Sequence, residues 1–403
     1  MDAMEIMTAL ITPDGKADPY PLYAQLHELG EAVAMPYGDV LVSGYDAISS
    51  VLRNPAFRNP DTEQLDRGIP GWRDHPAMAQ SPEWILLSNA PDHTRVRSLI
   101  SRAFTPRRVS GLQPAIERLA DGLLDTMADK GADGSAVEFM HDFAFLLPVT
   151  VICELIGIPE ADREGFRPLA RAIATTFEFI ELAELADADV AAVQLNKYFA
   201  ELAAAKRAHP RDDLLSDLVA ISDSADGRLS DSELLANLTL LLVAGFETTT
   251  NLLGNGTRIL LQEPPLGQAI RDGSVPVAAF VSEVLRYDSP VQMAPTRMGC
   301  DTEVGGVHVP PDTGISLMLG AGNRDPRRFA QPDRFDPARS QGAPLSFGGG
   351  AHFCIGAALA RLEAAVAFPR LLSRFPDMAA AGEPQRRDAF VLRGFDTLPV
   401  TVV

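Results

Sequence analysis

The stretch PLSFGGGAHFCIG, residues 344–356, holds Cys354 between a run of three glycines and an Ala/Leu-rich segment. The glycines permit a close backbone approach or a positive φ, and the amides at a helix start favour thiolate over thiol. A thiolate on a glycine platform suits a soft metal ion. One cysteine cannot complete a zinc or iron–sulfur site, so the other ligands would come from a cofactor. A structural cysteine in a glycine turn explains the loop equally well.

The composition is that of an acidic globular protein. The 403 residues include 54 Asp and Glu against 35 Lys and Arg, a net charge of −19, which argues against nucleic acid or an anionic membrane as a partner. Only Cys153, Cys300 and Cys354 are available for disulfides or zinc. A reducing cytosol is the simplest setting for them, and the N-terminus lacks a signal-peptide or anchor pattern, so we expect a cytoplasmic protein.

Hydrophobic spacing predicts a mainly α protein with a smaller β region, an α+β fold. Apolar residues recur at helical spacing from about 91 to 290, and residues 357–375 predict another helix. A short helix and strand-like runs are expected in 18–60, and a long functional loop in the Pro-, Gly- and Asp-rich residues 60–90. Short strands and turns are expected after residue 290 and in the tail.

The longest helical pattern, about residues 231–261, predicts a buried helix roughly 45 Å long. Within it, Gly245 weakens the helix by about 1 kcal/mol relative to alanine, and Glu247 and Thr248 are costly to bury unless they are partnered. These three residues could open a groove that holds water. When the segment is taken alone, a salt-bridged Glu and a Thr bonded to the preceding turn are the favoured explanation.

Two pairs of charged residues lie at helical spacing. Glu283 and Arg286, three residues apart, can form an ion pair. His93 and Arg97, one turn apart on one face, can converge on an anion such as a carboxylate. A surface ion pair and a solvated basic face explain these pairs when each is considered alone.

Taken together and in chain order, these segments resemble the cytochrome P450 family, specifically its soluble bacterial members. The resemblance implies a cytochrome P450 fold in a single domain, residues 1–403, with a long central helix over a haem and the cysteine loop beneath it. It is carried by five segments: FGGGAHFCIG (347–356) for the haem loop F-G-x-G-x-[HR]-x-C-x-G, AGFETT (244–249) for [AG]-G-x-[DE]-T-[TS], EVLR (283–286) for E-x-x-R, FAQPDRFDPAR (329–339) for the meander and PDHTRVR (91–97) for the C-helix.

The resemblance also implies haem b as cofactor, with Cys354 as the axial thiolate on iron, which favours O–O cleavage. Arg and His suit the haem propionates because these groups are carboxylates. The further haem contacts that the resemblance implies are His352, His93, Arg97, Arg297, Phe347, Gly348 and Gly356.

The family pattern assigns roles to the remaining motif residues. Gly245, Glu247 and Thr248 would form the oxygen groove, with Thr248 holding a proton-donating water and Glu247 relaying protons from bulk solvent. A structural ion-pair triad is expected from Glu283, Arg286 and Arg334, with Arg339 as the alternative third member.

The activity implied is that of a monooxygenase, which inserts one oxygen atom from O2 into a C–H bond or adds it to an alkene. The 403 residues show no reductase segment, so electrons are expected from a ferredoxin and its ferredoxin reductase. Basic residues in segments flanking the cysteine side would form the docking face, namely Arg102, Arg107, Arg108 and Arg361.

The expected substrate is an apolar small molecule, because the residues at the family's pocket positions are apolar. These are Trp84, Leu86, Leu87, Leu240, Val243, Ala244, Val291, Met293, Ala294 and Leu392. The acidic run FEFIELAELADAD, residues 177–189, either attracts a cationic amino sugar or is a solvated helix face.

The chain most resembles P450s that tailor polyketides, especially macrolides, in actinobacterial antibiotic biosynthesis. The alternatives are a terpenoid, a fatty acid or a carrier-bound amino acid as substrate. A non-catalytic recruitment or haem-binding module is a further alternative. The intact Cys354, Glu247 and Thr248 argue against such a module.

Overall fold

The computed structural model describes residues 1–179, 181–224 and 229–402, apart from the side chains of Ala103 and Glu164. These residues form two compact units. Unit 1 comprises Met1–Arg58, Gln113–Leu146 and Thr248–Val403, and unit 2 comprises Asn59–Leu112 and Leu147–Glu247. Of the acidic run 177–189, Ile180 lies outside the described residues.

Unit 1 combines helices with all of the strands found in the described residues. Its helices are Ala3–Leu10, Pro13–Ala17, Tyr20–Leu29, Tyr45–Arg53, Gln113–Lys130, Pro264–Arg271, Val277–Tyr287, Leu319–Gly322 and Ala357–Arg374. A π-helical turn covers Met140–Ala144, and 3₁₀ turns cover Leu345–Phe347 and Gly350–His352.

The sheets of unit 1 are small. In the largest, the strand order is Ala32–Ala34, Val40–Val42, Gly314–Leu317 and Ala294–Met298; the two inner strands are parallel and the outer pairs antiparallel. The others are Val137–Glu138 with Pro399–Thr401 and Ala379–Ala380, Gln385–Arg386 with Phe395–Thr397, and Thr302–Val304 with Val307–Val309. A core that includes Val42, Ile48, Ile315, Leu317 and Phe329 packs against the largest sheet.

In the described residues of unit 2, all of the regular secondary structure is helical. Its helices are Thr62–Gly68, Pro76–Ala79, Asp92–Ile100, Pro106–Gly111, Leu146–Ile156, Phe166–Ala174, Ala186–Ala208 and Leu214–Ser222, with 3₁₀ turns at Trp72–Asp74, Ser81–Glu83, Ser101–Phe104, Glu160–Gly165, Thr175–Phe177 and Leu182–Glu184. The Leu146–Ile156 helix begins with the last residue of unit 1.

The central helix, Asp231–Gln262, is the longest element. A reciprocal capping box fixes its start, because the Ser230 amide donates to Glu233 Oε2 (2.9 Å) and the Glu233 amide donates to Ser230 Oγ (3.1 Å). Residues up to Glu247 belong to unit 2 and those from Thr248 to unit 1. Within the described part of the chain, no helix combines the length and the apolar character needed to cross a membrane.

The predicted α+β class, the central helix and the helix after Cys354 are confirmed. Two local expectations are wrong. Residues 45–53, read as part of a strand-like run, form the helix Tyr45–Arg53, because Tyr45, Ile48, Val51 and Leu52 share a buried helical face. The expected loop at 60–90 contains the helices Thr62–Gly68 and Pro76–Ala79, and Asp61 caps the first of them.

Candidate functional site

The loop that carries Cys354, residues 344–356, is a tightly wound turn at the start of the helix Ala357–Arg374. The Cys354 amide donates to the Phe347 carbonyl (2.9 Å), which closes the loop. Gly348 and Gly350 have φ values of +67° and +62°, in the left-handed region that favours glycine. A Cβ at Gly350 would lie 2.1 Å from the Leu52 carbonyl oxygen, so that position requires glycine for its close backbone approach.

Polar side chains brace this loop from beneath. The Leu345 amide donates to Asn323 Oδ1 (2.7 Å), and Asn323 Nδ2 donates to Ser346 Oγ (3.1 Å). The Ser346 hydroxyl in turn donates to the Leu285 carbonyl (2.5 Å) on the helix Val277–Tyr287. The loop is therefore held by buried hydrogen bonds, which are more sensitive to perturbation than exposed ones.

The predicted pair Glu283–Arg286 is buried and bidentate. Arg286 donates from Nε to Oε2 (2.8 Å) and from Nη2 to Oε1 (2.7 Å), and both side chains are at most 5 % exposed. The same guanidinium donates to the Asn323 carbonyl (3.0 Å), which connects the pair to the brace of the cysteine loop. Glu283 and Arg286 therefore belong to a buried network and do not form the surface ion pair that explained them when they were considered alone.

The third member of this network is Arg339, and the expectation of Arg334 is wrong. Arg339 Nε lies 3.4 Å from Glu283 Oε1, and its side chain is 8 % exposed. Arg334 is exposed and contributes only its carbonyl, which accepts from Arg286 Nη2 (3.1 Å). The next residue, Phe335, packs edge-on against Phe280 with its ring. At Arg334 the backbone therefore presents its carbonyl to Arg286, while the guanidinium is exposed and does not pair with Glu283.

Four of the predicted pocket residues lie in unit 1 on two adjoining segments. Val291 and Leu392 form an antiparallel β-bridge, and the Gln292 amide donates to the Val391 carbonyl (2.8 Å). Met293 and Ala294 follow and are buried. The structure therefore pairs the stretch after E-x-x-R with the tail turn.

Arg297, a predicted propionate contact, lies on the strand Ala294–Met298 in the same unit. Its side chain is buried, and burial lowers the pKa of the guanidinium to about 10. A buried cation is stabilised by a carboxylate beside it. His352 ends the 3₁₀ turn that precedes Cys354.

The central helix is continuous through the Glu–Thr motif. Around this motif only Ala244, Gly245 and Thr248 are accessible, whereas the neighbouring positions, including Glu247, are buried. A Cβ at Gly245 would lie 2.7 Å from the Ile152 side chain, so this glycine permits close packing against the helix Leu146–Ile156. Leu240 lies one turn from Ala244 on the same face; Val243 is rotated by about 100° and belongs to the core.

The predicted anion pair lies on the helix Asp92–Ile100 of unit 2. His93 and Arg97 are one turn apart; His93 is buried and Arg97 is half-buried. Between these two residues in the sequence, Arg95 forms an ion pair with Glu233 Oε1 (2.5 Å). His93 is buried and Arg95 is paired with an acid, so at these two positions the helix does not present the solvated basic face that the sequence left open as an alternative.

In unit 2, the pocket residues predicted from the loop before the helix Asp92–Ile100 are Trp84, Leu86 and Leu87. Trp84 is buried and its ring packs against Phe177, with centroids 5.6 Å apart. Leu86 and Leu87 are half-buried. Asn237 of the central helix hydrogen-bonds the backbone of residues 83 and 85 and so holds this segment. This residue was not predicted from the sequence, although an amide in a mostly apolar part of the helix was a signal for it.

The basic residues expected to dock a ferredoxin differ in their surroundings. Arg102 and Arg107 are exposed in unit 2, and Arg108 forms an ion pair with Asp217 (2.9 Å). Arg361, in unit 1, is half-buried, stacks over the Phe347 ring at 4.9 Å and donates to Ser282 Oγ. Arg361 therefore packs on the cysteine loop, a contact that the sequence did not indicate.

The side chains available as ligands at the cysteine loop and on the neighbouring strand suit haem. Among the described residues, no three His, Cys, Asp or Glu side chains lie together in a way that could hold a metal ion. Cys354 is the exposed one of the three cysteines and lies beside a glycine-lined turn. A single soft ligand of this kind matches an iron whose four other ligands belong to a macrocycle. The buried Arg297 supplies the cation that a propionate requires, so these residues fit haem.

Comparisons with known proteins point to one family. The family model described as cytochrome P450 matches residues 276–391. Cytochrome P450 monooxygenase PikC of Streptomyces venezuelae is 39% identical over 96% of this chain and 92% of its own length. Vitamin D(3) 25-hydroxylase of Pseudonocardia autotrophica is 36% identical over 96% of this chain and 94% of its own.

A solved structure agrees with the sequence relatives. The crystal structure of P450BioI, in complex with an acyl carrier protein ligated to hexadec-9Z-enoic acid, superposes with a TM-score of 0.89 at 34% identity, covering 97% of this chain and 100% of that one. The predictions of family, fold, enzyme class and cofactor are therefore confirmed. The chain belongs to the cytochrome P450 family and is a haem-thiolate monooxygenase that uses haem b.

Proposed function

We propose that this P450 hydroxylates or epoxidises a macrolide-like polyketide in the cytoplasm, with residues 1–403 acting as one catalytic domain. The observation that carries the proposal is the apolar character of the candidate lining in each unit: Trp84 and Leu240 in unit 2, and Met293, Ala294 and Leu392 in unit 1 are buried hydrophobic residues. Such a lining suits a large apolar ring system with few polar groups. Resemblance to polyketide-tailoring P450s supports the class.

Bound haem supplies the activation of O2 in this proposal. Cys354 would hold the iron through its sulfur, on the loop that Gly348 and Gly350 shape, and the absence of a side chain at Gly356 leaves space beside that sulfur. Arg297, His352, His93 and Arg97 bind the propionates through charged or polar hydrogen bonds, and Phe347 packs beside the sulfur. The position of Arg361 over the Phe347 ring keeps that ring in place.

Two residues of the central helix handle protons in the proposal. The Thr248 hydroxyl, on the accessible strip of the helix, holds a water molecule at the reacting oxygen. The Glu247 carboxyl is 3 % exposed and carries protons from solvent towards that water. Gly245 keeps the helix close to Ile152 and so sets the position of both side chains.

A spectral titration of the ferric protein tests the substrate class. We expect a saturable Soret shift, which reports loss of iron-bound water, with a macrolide aglycone and with a macrolide that carries an amino sugar. Tighter binding of the amino-sugar form would assign the acidic segment 177–189 to that sugar. A shift with only vitamin D3 or hexadec-9Z-enoic acid would refute the macrolide proposal.

Electrons come from a ferredoxin in this proposal, and the helix Pro106–Gly111 is part of its docking face. We expect Arg107→Glu with Arg108→Glu to lower ferredoxin-driven turnover at least tenfold at low salt, because repulsion replaces attraction to an acidic partner. Peroxide-driven turnover should stay unchanged, because it needs no partner.

The matched control carries the same change in net charge. Lys197→Glu with Arg211→Glu replaces two exposed cations of unit 2 outside that helix. Ferredoxin-driven turnover of this control should remain near that of the parent. Equal losses of ferredoxin- and peroxide-driven turnover in the Arg107 and Arg108 variant would contradict the docking proposal.

A further inference from the structure

We propose that Trp84 is a specificity-determining residue whose indole N–H donates a hydrogen bond to an acceptor oxygen of the substrate. This inference rests on the proposed function, since it places segment 80–88 beside the bound molecule. It goes further by assigning one polar contact in a lining that is otherwise apolar. The substrate class that it selects is an oxygenated ring, with a carbonyl, ester or hydroxyl oxygen at that place.

The two tryptophans differ in whether the indole N–H has a hydrogen-bond acceptor. The Trp84 side chain is 1 % exposed, and its Nε1 is buried with no acceptor among the residues that the structure describes. Trp72 is equally well buried at 3 %, but its Nε1 donates to Asp66 Oδ1 at 2.9 Å. Buried tryptophan N–H groups usually have a partner, so the one on Trp84 requires an explanation.

Two neighbours of Trp84, each four residues away, share this property. Both side-chain amide atoms of Gln80 and the Ser88 hydroxyl are buried and find no hydrogen-bond partner within the described ranges. Three polar side chains within this nine-residue segment therefore have unused hydrogen-bonding capacity. Such a concentration favours a polar ligand group at this segment over a packing defect at a single residue.

The segment is held firmly against the central helix. Asn237 Oδ1 accepts from the Ile85 amide (2.8 Å), and Asn237 Nδ2 donates to the Glu83 carbonyl (2.9 Å). Both bonds flank Trp84. Asn237 and Ala244 are seven residues apart and share one face of the helix, and Ala244 is accessible. Trp84 therefore lies next to the helix face that continues to the accessible strip at Ala244.

The chemistry of indole narrows the ligand group. An indole N–H is a donor only, so its partner must carry an acceptor. A hydrocarbon ring or the saturated tail of a fatty acid offers none. The ketone, ester and hydroxyl oxygens of a macrolactone do. The competing occupant is an ordered water, which would satisfy the N–H in the absence of substrate and persist when a ligand binds.

A matched pair of ring probes tests the assignment. Cyclododecanone carries one acceptor oxygen, and methylenecyclododecane replaces that oxygen with CH2 at nearly the same shape. We expect Soret titrations of the haem-loaded protein to favour the ketone by about tenfold, the value of one additional neutral hydrogen bond. Trp84→Phe should reduce that preference to about one. Trp72→Phe should retain it, because the Trp72 N–H has its own acceptor.

Nuclear magnetic resonance provides a readout that does not depend on turnover. With only two tryptophans, the ¹⁵N-tryptophan-labelled ferrous–CO protein has two indole signals, and Trp84→Phe identifies the one that belongs to Trp84. The ketone should move this signal downfield while the Trp72 signal stays in place. The alkene should not produce the downfield shift.

The outcomes separate the two proposals. If the ketone saturates the Soret change but leaves the Trp84 indole signal unmoved, or if both probes bind equally, the Trp84 assignment is overturned and the proposed function stands. If neither probe nor any macrolide of the panel changes the Soret band, the proposed function is overturned and the assignment with it.

Discussion

Replacing Cys354 by alanine is expected to abolish both turnover and the thiolate-type Soret band of the reduced, CO-treated protein. The loop is held by its backbone and by Ser346 and Asn323, so the fold should survive the loss of one sulfur. An axial thiolate is the ligand that gives P450 haem its electronic character. Absorption spectroscopy under CO, with far-UV circular dichroism to verify folding, measures the effect.

Cys300→Ala is the matched control for this experiment. Cys300 is a half-buried cysteine in the same unit, and its replacement should leave the band unchanged. Persistence of the band in Cys354→Ala would show that another residue ligates the iron.

Local signals explain why much of this fold and site was predictable. The glycines at 348 and 350 adopt positive φ, and the Ser230–Glu233 capping box marks the start of a helix. The apolar spacing that follows this box predicts one long buried helix, which is the one observed. Each of these signals is written within a few residues of where it acts. The Glu283–Arg286 pair was found for the same reason, because its members are one turn apart.

Tertiary contacts determine what the sequence could not predict. Arg334 and Arg339 are the same residue type in one irregular segment, and only the folded chain shows that Arg339 is the one that reaches Glu283. Asn237 is likewise an isolated amide until the chain places residues 83–85 beside it. The burial of Trp84 without an acceptor is a property of the assembled unit alone.

Replacing Glu283 by glutamine is expected to destabilise the protein by about 3–5 kcal/mol, the cost of leaving a buried ion pair without one charge. Arg286 and Arg339 both face this carboxylate, so the variant leaves two buried guanidiniums without their shared counter-charge. The disturbance reaches the cysteine loop because Arg286 also donates to the Asn323 carbonyl. Urea unfolding and the fraction of haem retained, measured together, test both parts.

Two variants decide whether the charge or the fork geometry of this network matters. Arg286→Lys keeps a cation but loses the bidentate contact and most of the carbonyl contacts, so we expect partial loss of haem and stability. Glu201→Gln breaks the exposed pair with Lys197, whose closest atoms are 4.0 Å apart, and should cost less than about 0.5 kcal/mol. If Glu283→Gln were no more damaging than Glu201→Gln, the buried network would not support the cysteine loop. Wild-type haem retention in Arg286→Lys would show that charge alone is sufficient.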